Sequence, residues 1–219
     1  MKVRVIKTRK NFMRNYNYLL INDDTHEAVL IDASWEPLKI KSVLDEENAI
    51  LCGILLTHAH FDHVNIVDDL LEEFDIPVYI SREEADYYHF NCKNIVLLEQ
   101  DQDIDIISSV VHSLFLPGHT VGSTAFYTDE HFFLGDTLLI EGCALLDDEG
   151  ADAHQLYLSV RKLFDFIRDD VAVYPGHASK NKPGLSMKEL KSINIYTDVH
   201  DEKAFNDLSG WNSTLKVIS

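Results

Sequence analysis

The run Thr57-His58-Ala59-His60-Phe61-Asp62-His63 places three imidazoles and a carboxylate within six residues. Imidazole nitrogen and carboxylate oxygen are the donors that borderline divalent metals prefer. The apolar segment Gly53-Ile54-Leu55-Leu56 precedes the cluster directly. A strand ending there would give the donors a rigid platform.

Three later points match the first in type. Leu116-Pro117-Gly118-His119-Thr120, Phe133-Leu134-Gly135-Asp136-Thr137 and Tyr174-Pro175-Gly176-His177 each set a metal-capable side chain where an apolar strand stops beside glycine. Glycine allows a sharp turn and a close backbone approach. Strand ends gathered on one edge of a sandwich would bring these donors together. Of the eleven histidines, five fall in the motifs. The others, His26, His89, His112, His131, His154 and His200, read as surface or packing residues. The acidic pairs and runs, Glu83-Glu84 among them, read as solvated faces and turns.

The elements needed to position these groups are legible as patterns. Strands are expected at 3–8, 16–22 and 27–32, with turn chemistry at Asn22-Asp23-Asp24. Pro37 suits the first turn of a helix over 37–46. Strand 53–57 delivers the cluster, and Val64, Val67, Leu71 and Phe74 recur at helical spacing behind it. Strand 78–80 and a helix at 82–89 follow. Further strands are expected around 95–98, 105–116, 123–128, 131–135 and 171–174. Asp152 with Gln155 three residues on marks a helix start, and the last 40 or so residues read as mostly helical. The order of strands, helix, strands, helix, given twice, predicts an α+β fold over residues 1–219 as one domain. Its form is an αββα sandwich, two mixed sheets packed face to face with helices outside.

Composition narrows the function. A net charge of -18 argues against general nucleic-acid binding. No run of about 18 apolar residues is present, so no spanning helix is expected. The alternating N-terminus reads as a strand rather than a signal peptide. Cys52, Cys92 and Cys143 form neither a CxxC pair nor an even set, which fits a cytoplasmic protein without disulfides. Charge is unevenly spread. Residues 1–22 carry Lys2, Arg4, Lys7, Arg9, Lys10 and Arg14 and no acid, and all 37 acids lie from Asp23 onward. This is either a solvated basic edge or a patch for an acidic partner or anionic substrate.

With His58-x-His60-x-Asp62-His63, His119, Asp136 and His177 in this order, the chain resembles the metallo-β-lactamase superfamily. The resemblance implies two divalent ions, zinc first, with iron or manganese as alternatives. It assigns His58, His60 and His119 to one ion, Asp62, His63 and His177 to the second, and Asp136 as a bridge. Two adjacent cations would hold a hydroxide between them, lower its pKa toward neutrality and let it attack a carbonyl. Asp62 and Asp136 would fix the cations and orient that nucleophile.

Within the superfamily, Pro117-Gly118-His119-Thr120-Val121-Gly122-Ser123, Gly135-Asp136-Thr137-Leu138 and Glu141-Gly142-Cys143 resemble the glyoxalase II group, which hydrolyses glutathione thioesters. Ala144-Leu145-Leu146-Asp147-Asp148 stands where that group has a basic glutathione-gripping residue, which points away from glutathione. Met13-Arg14-Asn15-Tyr16-Asn17-Tyr18, Ile31-Asp32-Ala33-Ser34-Trp35 and Ile140-Glu141-Gly142-Cys143 resemble the small zinc hydrolases encoded beside bacterial polyketide synthases. This implies hydrolysis of acyl thioesters on acyl carrier proteins. Carrier proteins are acidic, so Lys7, Arg9, Lys10 and Arg14 form the candidate dock. The alternatives are an iron-dependent persulfide dioxygenase and a lactone or small-ester hydrolase of the same fold.

Overall fold

Tyr18 and Leu19, neighbours in one strand, point into different cores, and the same division runs through the molecule. The computed structural model describes residues 1–177 and 180–209. Its first half contains β1 (Lys2–Lys10), β2 (Met13–Ile21), β3 (Glu27–Ile31), α1 (Pro37–Glu47), β4 (Ile50–Leu55), α2 (Phe61–Val64), α3 (Val67–Leu71), β5 (Val78–Ser81), α4 (Arg82–Tyr88) and β6 (Ile95–Leu98). Its second half contains β7 (Asp103–Ile106), β8 (Ser109–Phe115), β9 (Thr124–Tyr127), β10 (His131–Gly135), α5 (Ala153–Phe166), β11 (Ala172–Pro175), β12 (Leu185–Ser186), α6 (Met187–Ile193) and α7 (Glu202–Leu208).

Two six-stranded sheets result, ordered β1-β2-β3-β4-β5-β6 and β12-β11-β10-β9-β8-β7. Because side chains alternate along a strand, Tyr16, Tyr18 and Leu20 of β2 meet Phe126, Phe133 and Tyr174 between the sheets. Leu19 and Ile21 face the other way, onto Ile40 and Leu44 of α1 and Leu70 of α3. In the second sheet Phe132 and Leu134 pack under Leu156, Val160 and Leu163 of α5 and Phe205 of α7. Helix, sheet, sheet, helix is therefore the layer order, as the sequence pattern predicts.

Three expectations change in detail. The 105–116 strand is a hairpin, β7 and β8, turned by Ile107 and Ser108 at φ 54° and 50°. Positive φ at both central residues matches the twist of a two-residue hairpin turn, although neither residue type announces it. The helix behind the histidine cluster is two short pieces. Asn65 sits at the break, accepting from Trp35 N at 2.9 Å and donating to Phe61 O at 2.7 Å. The first two strands run longer than expected, to a tight turn at Asn11 and Phe12, with Asn11 at φ 55°.

Strand direction explains how distant motifs converge. β8 and β10 are both antiparallel to β9, and β11 is parallel to β10. These three strands therefore end on one edge of the second sheet. Thr124 N donating to Thr57 O at 2.8 Å, Tyr16 N to Gly176 O at 2.9 Å and Tyr18 Oη to Pro175 O stitch that edge to the first sheet.

Candidate metal centre

All seven motif side chains meet at this edge. His58 follows β4 by three residues, His60 caps α2, and Asp62 and His63 ride on α2 itself. His119 lies in the loop after β8, Asp136 directly follows β10, and His177 follows β11 by two residues. Their donor atoms form three overlapping groups: His58, His60 and His119; His58, His63 and Asp136; Asp62, His63 and His177. Within each group the atoms lie no more than 4.8 Å apart. Asp136 Oδ2 is 3.8 Å from His119 Nε2, 3.6 Å from His63 Nε2 and 3.3 Å from His177 Nε2, so it stands between the sets.

Burial shows what these atoms lack. His58 Nε2, His60 Nε2, His119 Nε2 and Asp136 Oδ1 are buried without a hydrogen-bond partner. A buried unpaired polar atom costs roughly 1–3 kcal/mol, and three unpaired Nε2 atoms within one donor set fit a cation that no side chain replaces. Asp148 Oδ2, 3.7 Å from His60 Nε2, is the nearest carboxylate on the outer side.

The rings are oriented from behind. His63 Nδ1 lies 2.8 Å from Asp32 Oδ2, His119 Nδ1 3.1 Å from Leu145 O, and His177 Nδ1 2.7 Å from Arg14 O. Each oxygen accepts, so each Nδ1 carries the proton and Nε2 is left to ligate. His58 Nδ1 lies 3.0 Å from Thr57 Oγ1, whose own proton goes to Asp32 Oδ2 at 2.9 Å. Asn15, fully buried, donates to the Asp62 carboxylate and to Asp62 O, both at 2.9 Å, and accepts from Trp35 Nε1 at 2.7 Å.

Electrostatics divide the cluster. Burial and then neighbouring His63 and His119 hold His58 well below the usual imidazole range, and burial with His119 lowers His60. Burial also opposes charge on His63, yet Asp136 and Asp32 outweigh it and raise the ring well above its ordinary value. His177, against Asp136 and Asp62, is pushed up to about 10 despite burial. Burial would raise Asp62 and Asp136, but the His177 and His63 rings hold both carboxyls below the usual range.

Close backbone approach makes two glycines necessary. A Cβ on Gly176 would lie 2.3 Å from Asp136 Oδ1 and 2.7 Å from His63 Cε1. One on Gly135, at φ 54°, would lie 2.8 Å from Thr57. Asp32, Asn15 and Glu84 were not among the candidate site residues, and each holds a motif residue or its backbone. Glu84 overturns the reading of Glu83-Glu84 as a solvated pair: it is fully buried. A cleft of about 630 Å³ opens beside His177, between Phe12, Met13 and Arg14 of the first hairpin and Leu139 and Gly142.

A four-layer sandwich with paired His/Asp donor sets at its strand ends is the architecture of a metallo-hydrolase scaffold. The model of the Metallo-beta-lactamase superfamily matches residues 13–177, and the chain belongs to that superfamily. "Probable polyketide biosynthesis zinc-dependent hydrolase PksB" of Bacillus subtilis is 39% identical over 204 residues, 93% of this chain and 91% of that protein. A hydroxyacylglutathione hydrolase of Hamiltonella defensa is 36% identical over 165 residues, 74% of this chain and 62% of the relative. Among solved structures, ETHE1 from Myxococcus xanthus superposes with a TM-score of 0.83 at 28% identity, covering 96% of this chain and 90% of that one. No helix among the described residues is long and apolar enough to cross a membrane.

Proposed function

We propose that the chain is a dinuclear zinc hydrolase of acyl thioesters, acting on acyl groups carried by an acidic carrier protein. The observation that carries this reading is the pair of donor sets meeting at Asp136, with four buried donor atoms that find no partner in the protein. His58, His60 and His119 would hold one ion, Asp62, His63 and His177 the other, and Asp136 would contact both. When bound, such ions supply an acidified water and a Lewis acid for the acyl carbonyl.

The chain's own residues supply the rest. Asp62 and Asp136, held as carboxylates, keep the reacting geometry fixed. Gly176 leaves room for the Asp136 carboxylate and the His63 ring side by side. Phe12, Met13 and Leu139 give the cleft an apolar wall suited to an acyl chain. A thiol has an ordinary pKa of about 8.5, so a thiolate departs without a strong general acid, and the cleft needs none.

Carrier docking is supported by charge. Lys2 and Arg4 are neutralised by Glu46 and Glu47, but among the described residues Lys7, Arg9, Lys10 and Arg14 have no carboxylate at ion-pair distance. Arg9 stands opposite Arg14 in the hairpin register, a like-charge pairing that costs stability. Arg14 also borders the cleft, so a partner held there would sit beside the site. Names of relatives agree with the class: PksB is described as a zinc-dependent hydrolase, and a second relative as a hydrolase of hydroxyacylglutathione.

Likeness to ETHE1 favours one rival, a persulfide dioxygenase with a single iron. Metal analysis separates the two. The test of the main reading is His58→Ala and Asp136→Ala, each expected to abolish thioester hydrolysis while circular dichroism stays that of the parent. Full activity in either variant would remove the mechanism.

A further inference from the structure

The chain contains the pattern Ser-x-x-Glu at the start of two helices, and the two glutamates do different things. At α6, Ser186 accepts from Glu189 N, and the Glu189 carboxylate returns to Ser186 N at 2.9 Å, closing a capping box on the surface. At α4, Ser81 likewise accepts from Glu84 N at 3.1 Å, but the Glu84 carboxylate does not return. It turns inward. Oε1 accepts from Ala59 N at 2.7 Å and Oε2 from Gly122 N at 2.8 Å.

These donors lie beside all three residues of one donor set. Ala59 sits between His58 and His60, and Gly122 lies three residues after His119 in the same loop. Glu84 thus joins the loop after β4, in one sheet, to the loop after β8, in the other. The contact is close enough to exclude a side chain at Gly122, where a Cβ would lie 2.3 Å from Ser81 Oγ and 2.4 Å from Glu84 N. Taking a carboxylate fully out of water is costly unless it is hydrogen-bonded. A helix cap gains nothing from that cost, because the box at α6 forms at the surface.

We infer that Glu84 is a positioning residue that fixes the spacing of His58, His60 and His119 as a zinc subsite. This assignment rests on the dinuclear reading above. Glu84→Gln keeps the shape but turns an amide NH₂ toward a backbone N–H, so one loop is released. The effect is local, since Asp62, His63 and His177 hang from α2 and β11, which Glu84 does not touch.

Zinc affinity measured by chelator competition tests this on two backgrounds. Asp62→Ala leaves the His58/His60/His119 set as the remaining site, and His60→Ala leaves the other set. Glu84→Gln is expected to weaken zinc about 10–100-fold on the first background, the usual effect of losing such a support, and to leave the second unchanged. Equal affinity with and without Glu84→Gln on the first background would overturn the assignment. So would equal weakening on both, which marks general loosening of the fold. Should Glu84→Gln fail to fold, Glu84→Asp keeps the charge but is too short to reach both amides, and is expected to weaken the same subsite alone; no such change would overturn the assignment. A parent chain that binds no zinc would remove the dinuclear reading itself, and is recognised before any Glu84 variant is compared.

Discussion

Asp32 accepts a hydrogen bond from His63 Nδ1 across 2.8 Å and another from Thr57, whose hydroxyl faces His58 Nδ1. One buried carboxylate therefore sets the tautomer of a histidine in each donor set. It does so from a left-handed backbone position, φ 56°, which aspartate tolerates better than most residues. Asp32→Asn retains one acceptor for Thr57 but turns an amide NH₂ toward His63 Nδ1 and removes the charge opposite that ring. Zinc affinity is expected to fall about 10–100-fold with the circular dichroism unchanged, as chelator competition would show. Undiminished affinity would mean that His63 is oriented by something else.

Gly176 allows no larger residue. Gly176→Ala pushes against the Asp136 carboxylate and the His63 ring together, and a shift of about 1 Å at reacting groups costs on the order of 10²-fold in rate. The loss should appear in kcat for a small thioester, while the melting temperature changes little. A wild-type kcat would show that the two side chains are free to move aside.

Proton release distinguishes the donor sets. Raised pKa values at His63 and His177 favour the protonated rings, so an ion binding there competes with protons. Lowered His58 and His60 are already neutral. From pH 8 to pH 6 the ion at Asp62, His63 and His177 should weaken, by about tenfold per pH unit for each proton displaced. Affinity at the other set, where His58 and His60 are already neutral, should fall less over the same range. Chelator titrations at several pH values would measure both, and parallel pH dependence would contradict the division.

Charge reversal tests the hairpin. Arg9→Glu with Arg14→Glu should raise KM for a carrier-bound thioester about tenfold or more at low salt. Salt should erase the difference. kcat for a small thioester should hold. An unchanged KM would leave the basic hairpin as a solvated edge.

The sequence made the seven-residue constellation and the layer order readable because both rest on local signals. His-x-His-x-Asp-His after an apolar run and Gly-His or Gly-Asp at a strand end need no knowledge of distant contacts. Asp32, Asn15 and Glu84 were not readable as support for the site, since each acts on residues far along the chain: Asn15 on Asp62, Glu84 on Gly122. Glu84 left one trace, the Ser-x-x-Glu spacing, but the same spacing at Ser186 closes an ordinary cap. The hairpin within 105–116 was hidden because its turn uses Ile107 and Ser108 in place of glycine or asparagine.

A two-zinc centre in this chain is expected to hydrolyse thioesters on a carrier protein. The most direct measurement gives the zinc-loaded protein equal concentrations of acyl-carrier protein, acyl-coenzyme A and acyl-glutathione and follows free acid by mass spectrometry, with metal content determined on the same sample. The expected result is two zinc ions per chain and fastest release from the carrier protein. No hydrolysis of any of the three by the two-zinc protein, or one iron per chain with oxygen uptake on a persulfide, would contradict it.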